Sequence, residues 1–193
     1  MNQIKLIKDF ISLDDANKII NYIDNNLSLF EQGGADKRFT KMFGKDDFQK
    51  DKSTYPITGL NEIHDIIFNA IEIAKSVIAY EYKDDKDIFL TSLWLAKQGE
   101  GGFLGPHLDT DPDNANSHFV YSAVIYLNTL EDSGNLDFPR IGLSIKPESG
   151  SLVLFPSGDD ESWHEVKSIK ENRYTVPLIF TRDKEFELYF DNN

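Results

Sequence analysis

Residues 105–118 read GPHLDTDPDNANSH, and this stretch decides the fold because its alternating aspartates fit two incompatible architectures. Two of the chain's four histidines, His107 and His118, lie in it, with Asp109, Asp111 and Asp113 between them. The three aspartates occupy positions 1, 3 and 5 of an EF-hand loop, which lies between helices and needs Gly at position 6 and a bidentate Glu at position 12. Asn114 and Val120 stand at those positions, Pro112 interrupts the loop, and the flanking residues read as strands. The helical reading therefore fails. Along an extended strand, residues two apart project to one face, so His107 and Asp109 can grip one ion together. The acidic turn keeps oxygen donors enough for a looser calcium site, the alternative reading, in which the protein is a noncatalytic jelly-roll binding module.

Downstream, the chain breaks into short strands: DIFLTSLWLAK, HFVYSAVIYLN, NLDFP, LSIKP, SLVLFPS, SWHEVKSI, RYTVPLIFT and FELYF. Turn signals separate them at Asp132-Ser133-Gly134, Pro147-Glu148-Ser149-Gly150 and Pro156-Ser157-Gly158-Asp159. Upstream, residues 3–8 predict a strand with Ile4 and Leu6 alternating, and Ser12 opens a helix as a capping-box residue with Asp15. Ile19, Ile20, Ile23 and Leu27 mark the buried stripe of that helix. A second helix is predicted over 58–82, where Leu60, Ile63, Ile66, Ile67, Ala70, Ile73, Ala74, Val77 and Ile78 recur at helical spacing. Residues 31–57 between the helices show no sustained period and read as a substrate lid or a solvated connection. They concentrate Lys37, Arg38, Lys41, Lys45, Lys50 and Lys52, partly cancelled by Asp36, Asp46, Asp47 and Asp51.

Two helices followed by about eight strands make an α+β arrangement: a double-stranded β-helix (jelly roll, cupin-like) core braced by N-terminal helices. The expectation is one domain spanning 1–193, with a helical part over about 1–83 and the jelly-roll core over about 84–193. The chain has no cysteine, which excludes disulfides, thiolate zinc sites and cysteine nucleophiles. The opening residues lack the pattern of a signal peptide and no run is long and apolar enough to span a membrane, so a cytoplasmic protein is expected. A formal charge of -13 repels phosphate backbones and argues against nucleic acid as a partner, and against repair of alkylated nucleic acid as a function.

For a third ligand, His164 in SWHEVKSI is the candidate, since an antiparallel sandwich brings distant strands side by side. Two histidines and one carboxylate form the facial triad that suits non-haem Fe(II) and leaves positions open for a cosubstrate and O2. Arg173 lies nine residues beyond His164 on an alternating strand, with Thr175 following on the same face. A cation fixed inside a barrel requires an anionic partner, and a dicarboxylate supplies one.

Together these residues resemble the Fe(II)/2-oxoglutarate dioxygenases, most closely their prolyl 4-hydroxylase-like branch. The resemblance covers roughly residues 90–182 and rests on Gly101, Leu104, His107 and Asp109, then YSAVIYLN, SGNLDFP, IKPESGSLVLFPS, His164 and RYTVPLIF. It implies that His107, Asp109 and His164 bind iron and that Arg173 grips the distal carboxylate of 2-oxoglutarate, a task suited to its planar, permanently charged fork. Tyr126 matches a tyrosine that in some members hydrogen-bonds the same carboxylate, and Thr175 adds a further bond by the same-face argument. The implied cofactors are Fe(II), 2-oxoglutarate and O2, with ascorbate as a reductant, and the implied reaction hydroxylates a substrate carbon, releasing succinate and CO2. The implied substrate is a prolyl or other residue of a peptide or protein rather than a free small molecule.

The family's cosubstrate pocket often carries a tyrosine where this chain has Lys97 or Gln98, and its paired glycine is here Ser133-Gly134. Other residues are expected outside the site. His64 reads as a packing or surface residue, and His118 as a surface residue rather than a fourth ligand. Trp94, Phe119 and Tyr121 read as core aromatics, and Trp163 points away from its neighbouring ligand. Asp111 and Asp113 face solvent or substrate.

Overall fold

A computed structural model describes residues 3–34, 37–44, 56–57, 60, 63–110 and 115–190. Among these the chain enters as β1 (Lys5–Ile7) and helix α1 (Leu13–Asn25), followed by β2 (Glu31–Gln32), β3 (Arg38–Gly44), β4 (Pro56–Ile57) and helix α2 (His64–Tyr82). Then come β5 (Phe89–Gln98), β6 (Leu104–His107), β7 (Phe119–Tyr126), β8 (Leu136–Phe138) and β9 (Leu143–Ile145). The chain closes with β10 (Leu152–Pro156), β11 (His164–Val166), β12 (Arg173–Thr181) and β13 (Tyr189–Phe190).

The N-cap half of the predicted capping box forms. Ser12 Oγ accepts from the Asp15 amide at 3.0 Å and donates to its carboxylate at 2.8 Å, satisfying an orphan donor at the start of α1. Helix α2 starts at His64, later than expected, and ends where Lys83 turns left-handed with φ 52°. Its apolar residues split between a buried face, with Ile67, Ala70, Ile71, Ala74 and Ile78, and a flank on which Ile73 is exposed.

Strands β5 to β12 wind between two facing sheets. The major sheet has the order β1-β10-β7-β12-β5-β3-β2 and the minor sheet β6-β11-β8-β9, with neighbouring strands antiparallel in both. Successive strands β5, β6, β7 and β8 thus alternate between sheets, as do β9, β10, β11 and β12, which is the winding of a double-stranded β-helix. A short parallel pair, β13 with β4, lies outside both sheets.

One face of the major sheet meets the helices. Leu93, Leu95, Leu178 and Val176 pack there against Ile19, Ile23, Ile67 and Ile71. The other face meets the minor sheet, where Tyr126, Val153 and Phe155 pack against Leu136, Phe138, Ile145 and Val166. A strand's side chains alternate between these two cores, so register alone decides which residues reach the space between the sheets.

Three expectations change. Residues 31–57 are not wholly a loop, since β3 pairs with β5 over seven positions from Arg38↔Gln98 to Gly44↔Ser92. Lys45, Lys50, Lys52, Asp36, Asp46, Asp47 and Asp51 lie outside the described residues. The N-terminal part is not only helical either, because β1, β2 and β3 extend the major sheet at both edges. Finally, Ile4 is buried but Leu6 is 41 % exposed on the edge strand β1. Among the described residues no helix is long and apolar enough to cross a membrane.

Candidate metal centre

Strands β6 and β11 are neighbours in the minor sheet, and their register sets His107 directly opposite His164. Side chains of such a pair share a face, and the two imidazole centroids lie 4.3 Å apart. Asp109 does not continue the strand as the two-residue spacing suggested. β6 ends at His107, and Asp109 reaches the histidines from the bend that follows. Its Oδ1 lies 3.4 Å from His107 Nε2 and 3.9 Å from His164 Nε2. One candidate ligand atom from each of the three residues falls within 4.8 Å of the others.

The opposite nitrogen of each ring is held by the backbone. His107 Nδ1 lies 2.8 Å from the Gly105 carbonyl and His164 Nδ1 2.9 Å from the Ser162 carbonyl. A carbonyl can only accept, so each Nδ1 carries the proton and each Nε2 lone pair faces Asp109. This is the tautomer a metal ligand needs, fixed by the group behind it.

Electrostatics agree with the donor set. Burial dominates at His164 and, helped by His107 and Arg173, holds its pKa below the ordinary value against the pull of Asp109, which keeps it a neutral donor. At His107 burial also acts downward, but the bond and charge of Asp109 and the Gly105 carbonyl together raise the pKa. At Asp109 burial works against ionisation, yet His107, His164 and Ser122 outweigh it and the carboxyl stays ionised below its usual range. Two neutral-capable imidazoles and a carboxylate fit a divalent first-row metal such as Fe(II). Calcium, which takes oxygen ligands, fits poorly with two imidazole nitrogens facing the same carboxylate. Asp111 and Asp113, on which the calcium reading leaned, lie outside the described residues.

The turn carrying Asp109 is braced by residues that the sequence reading passed over. Ser122 on β7 faces the Asp109 carboxylate, helping to lower its pKa, and shares a 2.7 Å bond with Ser157. Thr110 donates its amide to the Ser157 carbonyl at 3.3 Å and its hydroxyl to the Phe119 carbonyl at 3.0 Å. Ser122 lies four residues before Tyr126 on one strand, and that even spacing was the available signal.

Arg173 opens β12 and is only 7 % exposed. Its Nη2 lies 3.5 Å from the Tyr126 hydroxyl, with the guanidinium 5.2 Å from the Tyr126 ring centroid. Its Nε is buried without a hydrogen-bond partner, and among the described residues no carboxylate pairs with it. A buried cation left this way is costly unless a ligand completes it. Thr175, 2 % exposed, lies two residues on and directly opposite Tyr126. Burial is the main cause that holds the Tyr126 hydroxyl protonated, with its pKa raised. Gly134 guards this corner. With φ +73°, it has no room for a Cβ, which would come within 2.6 Å of Leu130 and 3.3 Å of Arg173 Cδ.

Register resolves the choice between Lys97 and Gln98. Gln98 stands opposite Arg173 and is buried, its amide donating to the Phe103 carbonyl at 3.0 Å. Lys97 stands opposite Tyr174 on the helix-facing side, bonded to Asp24 at 2.8 Å. His64 lies at the start of α2 beside Asp65, and His118 stacks on Phe186 with centroids 3.8 Å apart, so neither joins the cluster. Tyr121 is buried and donates to Asp84, Phe119 is half-buried, and Trp163 lies under Arg140. Trp94 departs from expectation, being half-exposed and outside both hydrophobic cores.

Comparison with known proteins was made on this geometry. Residues 93–181 match the family model described as the 2OG-Fe(II) oxygenase superfamily. No curated protein matches the chain in sequence. Among solved structures, the 2OG complex of viral collagen prolyl hydroxylase vCPH from Paramecium Bursaria Chlorella virus-1 is similar, at TM-score 0.70 and 19 % identity, covering 95 % of this chain and 97 % of the other. A Pseudomonas putida prolyl-4-hydroxylase is similar at TM-score 0.69 and 20 % identity, over 94 % of this chain and 93 % of the other. A prolyl hydroxylase from Trichoplax adhaerens, in complex with a hypoxia inducible factor peptide fragment, is similar at TM-score 0.71 and 19 % identity, over 96 % and 86 %. At such identities these likenesses establish the fold.

Proposed function

We propose that the chain, whose residues 93–181 match the 2OG-Fe(II) oxygenase superfamily, is a 2-oxoglutarate-dependent hydroxylase using Fe(II) and O2, and that it hydroxylates a residue, foremost a prolyl residue, of a peptide or protein. His107, Asp109 and His164 are the iron ligands in this reading, and Arg173, Tyr126 and Thr175 bind the distal carboxylate of 2-oxoglutarate. The observation that carries it is a buried guanidinium with no carboxylate partner among the described residues, on the same side of the major sheet as three converging ligand atoms. The peptide preference draws on the fold shared with prolyl hydroxylases, one of them bound to a peptide.

When bound, Fe(II) and 2-oxoglutarate would let O2 act as oxidant, one oxygen atom entering succinate as 2-oxoglutarate loses CO2 and the other entering the substrate C–H bond. The chain's part is positioning and exclusion of water. The carbonyls of Gly105 and Ser162 lock both imidazoles with Nε2 forward, and Ser122 holds the carboxylate from behind. Arg173 fixes one end of the cosubstrate by charge, while the apolar wall of Val124, Phe138 and Phe155 keeps the space between the sheets dry.

The test is succinate formation from 2-oxoglutarate by the Fe(II)-loaded protein, with mass spectrometry of proline-containing peptides for a gain of one oxygen atom. His107→Ala and His164→Ala should reduce succinate formation to background. Undiminished turnover in both variants would remove the ligand assignment.

A further inference from the structure

Trp94 is an aromatic side chain that neither hydrophobic core takes up. It shares a face of β5 with Ala96 and Gln98, and those residues stand opposite Thr175 and Arg173. By alternation the indole therefore lies on the side of the major sheet that faces the metal ligands, not the side that meets the helices. Yet it joins neither hydrophobic core, remains half-exposed, and makes no hydrogen bond or ring contact among the described residues. An indole whose face and N–H have no hydrogen bond or ring contact among the described residues, on the side of the sheet that faces the metal ligands, is suited to recognition.

We propose that Trp94 is a specificity-determining residue whose indole forms the wall against which the residue to be hydroxylated stacks, selecting a flat, uncharged ring such as the pyrrolidine of proline. This rests on the proposed function and names how that same site chooses its substrate. An indole face also attracts a cationic side chain. Here a cation is disfavoured by Arg38, which stands opposite Gln98 on β3 and whose positive charge reaches His107. Thr40, opposite Ala96 on the same strand, continues the wall beside the indole. The indole N–H is then free to donate to a substrate backbone carbonyl.

The chain has two tryptophans, so Trp163→Phe leaves Trp94 as the single emitter. Three decapeptides differing only in a central proline, alanine or lysine are titrated into this variant with Fe(II) and 2-oxoglutarate under anaerobic conditions. A change of Trp94 emission with the proline peptide alone is expected. In turnover, Trp94→Ala should raise the KM for the proline peptide about tenfold while kcat stays within about threefold, and Trp94→Phe should recover most of the loss. An emission change with the lysine peptide, silence with the proline peptide, or an unchanged KM overturns the proposal. If the otherwise unaltered protein adds oxygen to the proline peptide and Trp94→Ala matches it, the Trp94 role alone fails. If no oxygen is added, the prolyl reading fails and the stacking role falls with it.

Discussion

Two arginines sit at the ends of the same strand and live under opposite conditions. Arg182, just past the end of β12, has both terminal nitrogens on the Asp84 carboxylate, one at 3.0 Å. Asp84 also accepts from the Tyr121 hydroxyl at 2.8 Å, and its carboxyl is pulled from 3.8 to about 2, first by Arg182. Arg173, at the strand's start, is more deeply buried and has only a tyrosine hydroxyl at 3.5 Å. Removing a charge from water is costly, and the first arginine is compensated by the chain itself. In the proposed function the second is compensated by the dicarboxylate cosubstrate. A cation that serves the fold brings its own anion, and one that serves a ligand is left incomplete.

The largest expected effect follows from the second arginine. Arg173→Ala should raise the 2-oxoglutarate requirement by about 100-fold or more, the loss of a desolvated charge pair, with Fe(II) affinity retained. Lost iron binding with unchanged cosubstrate affinity would reverse the roles. Without cosubstrate, Arg173→Met should leave thermal stability unchanged or higher, whereas Arg182→Met should cost about 2 kcal/mol in denaturant unfolding, because it strands the Asp84 carboxylate. Equal destabilisation by both would erase the distinction.

Smaller effects sharpen it. Ser122→Ala should weaken Fe(II) binding about tenfold, with Ser122→Thr restoring it, since a group behind a ligand orients it. An equal loss in both variants would mean that packing, not the hydroxyl, matters. The Asp84 carboxyl has a folded pKa of about 2, below its ordinary 3.8, so its contribution is present above pH 4 and is lost as pH falls through about 2. Acid unfolding should show about 1 kcal/mol of loss across this window, absent in Asp84→Asn, after discounting for the partly exposed Arg182.

The grouping of His107, Asp109 and His164, the burial of Arg173 and the jelly roll were legible because each leaves a local mark: even spacing, alternation, and a cation in an apolar strand. What escaped depends on non-local pairing. β3 carries basic residues among its apolar ones and no clean alternation, so only its partner β5 reveals it as a strand. Strand pairing also set Gln98, rather than Lys97, opposite Arg173, and Trp94 lies partly exposed outside both cores. Asp109 was correctly grouped with His107 for an incomplete reason, because the bend after β6, held by Thr110 and Ser157, aims it rather than strand pleating. Ser122 escaped because a serine in an apolar strand carries no signal until the carboxylate it faces is known.

The most direct measurement is calorimetric titration of 2-oxoglutarate into Fe(II)-loaded protein without oxygen, repeated on Asp109→Ala and Arg173→Met. Tight binding to the unaltered protein is expected, weakened in Asp109→Ala along with metal binding and in Arg173→Met with metal binding intact. Equal 2-oxoglutarate binding by all three proteins would contradict a cosubstrate held between the triad and the buried arginine.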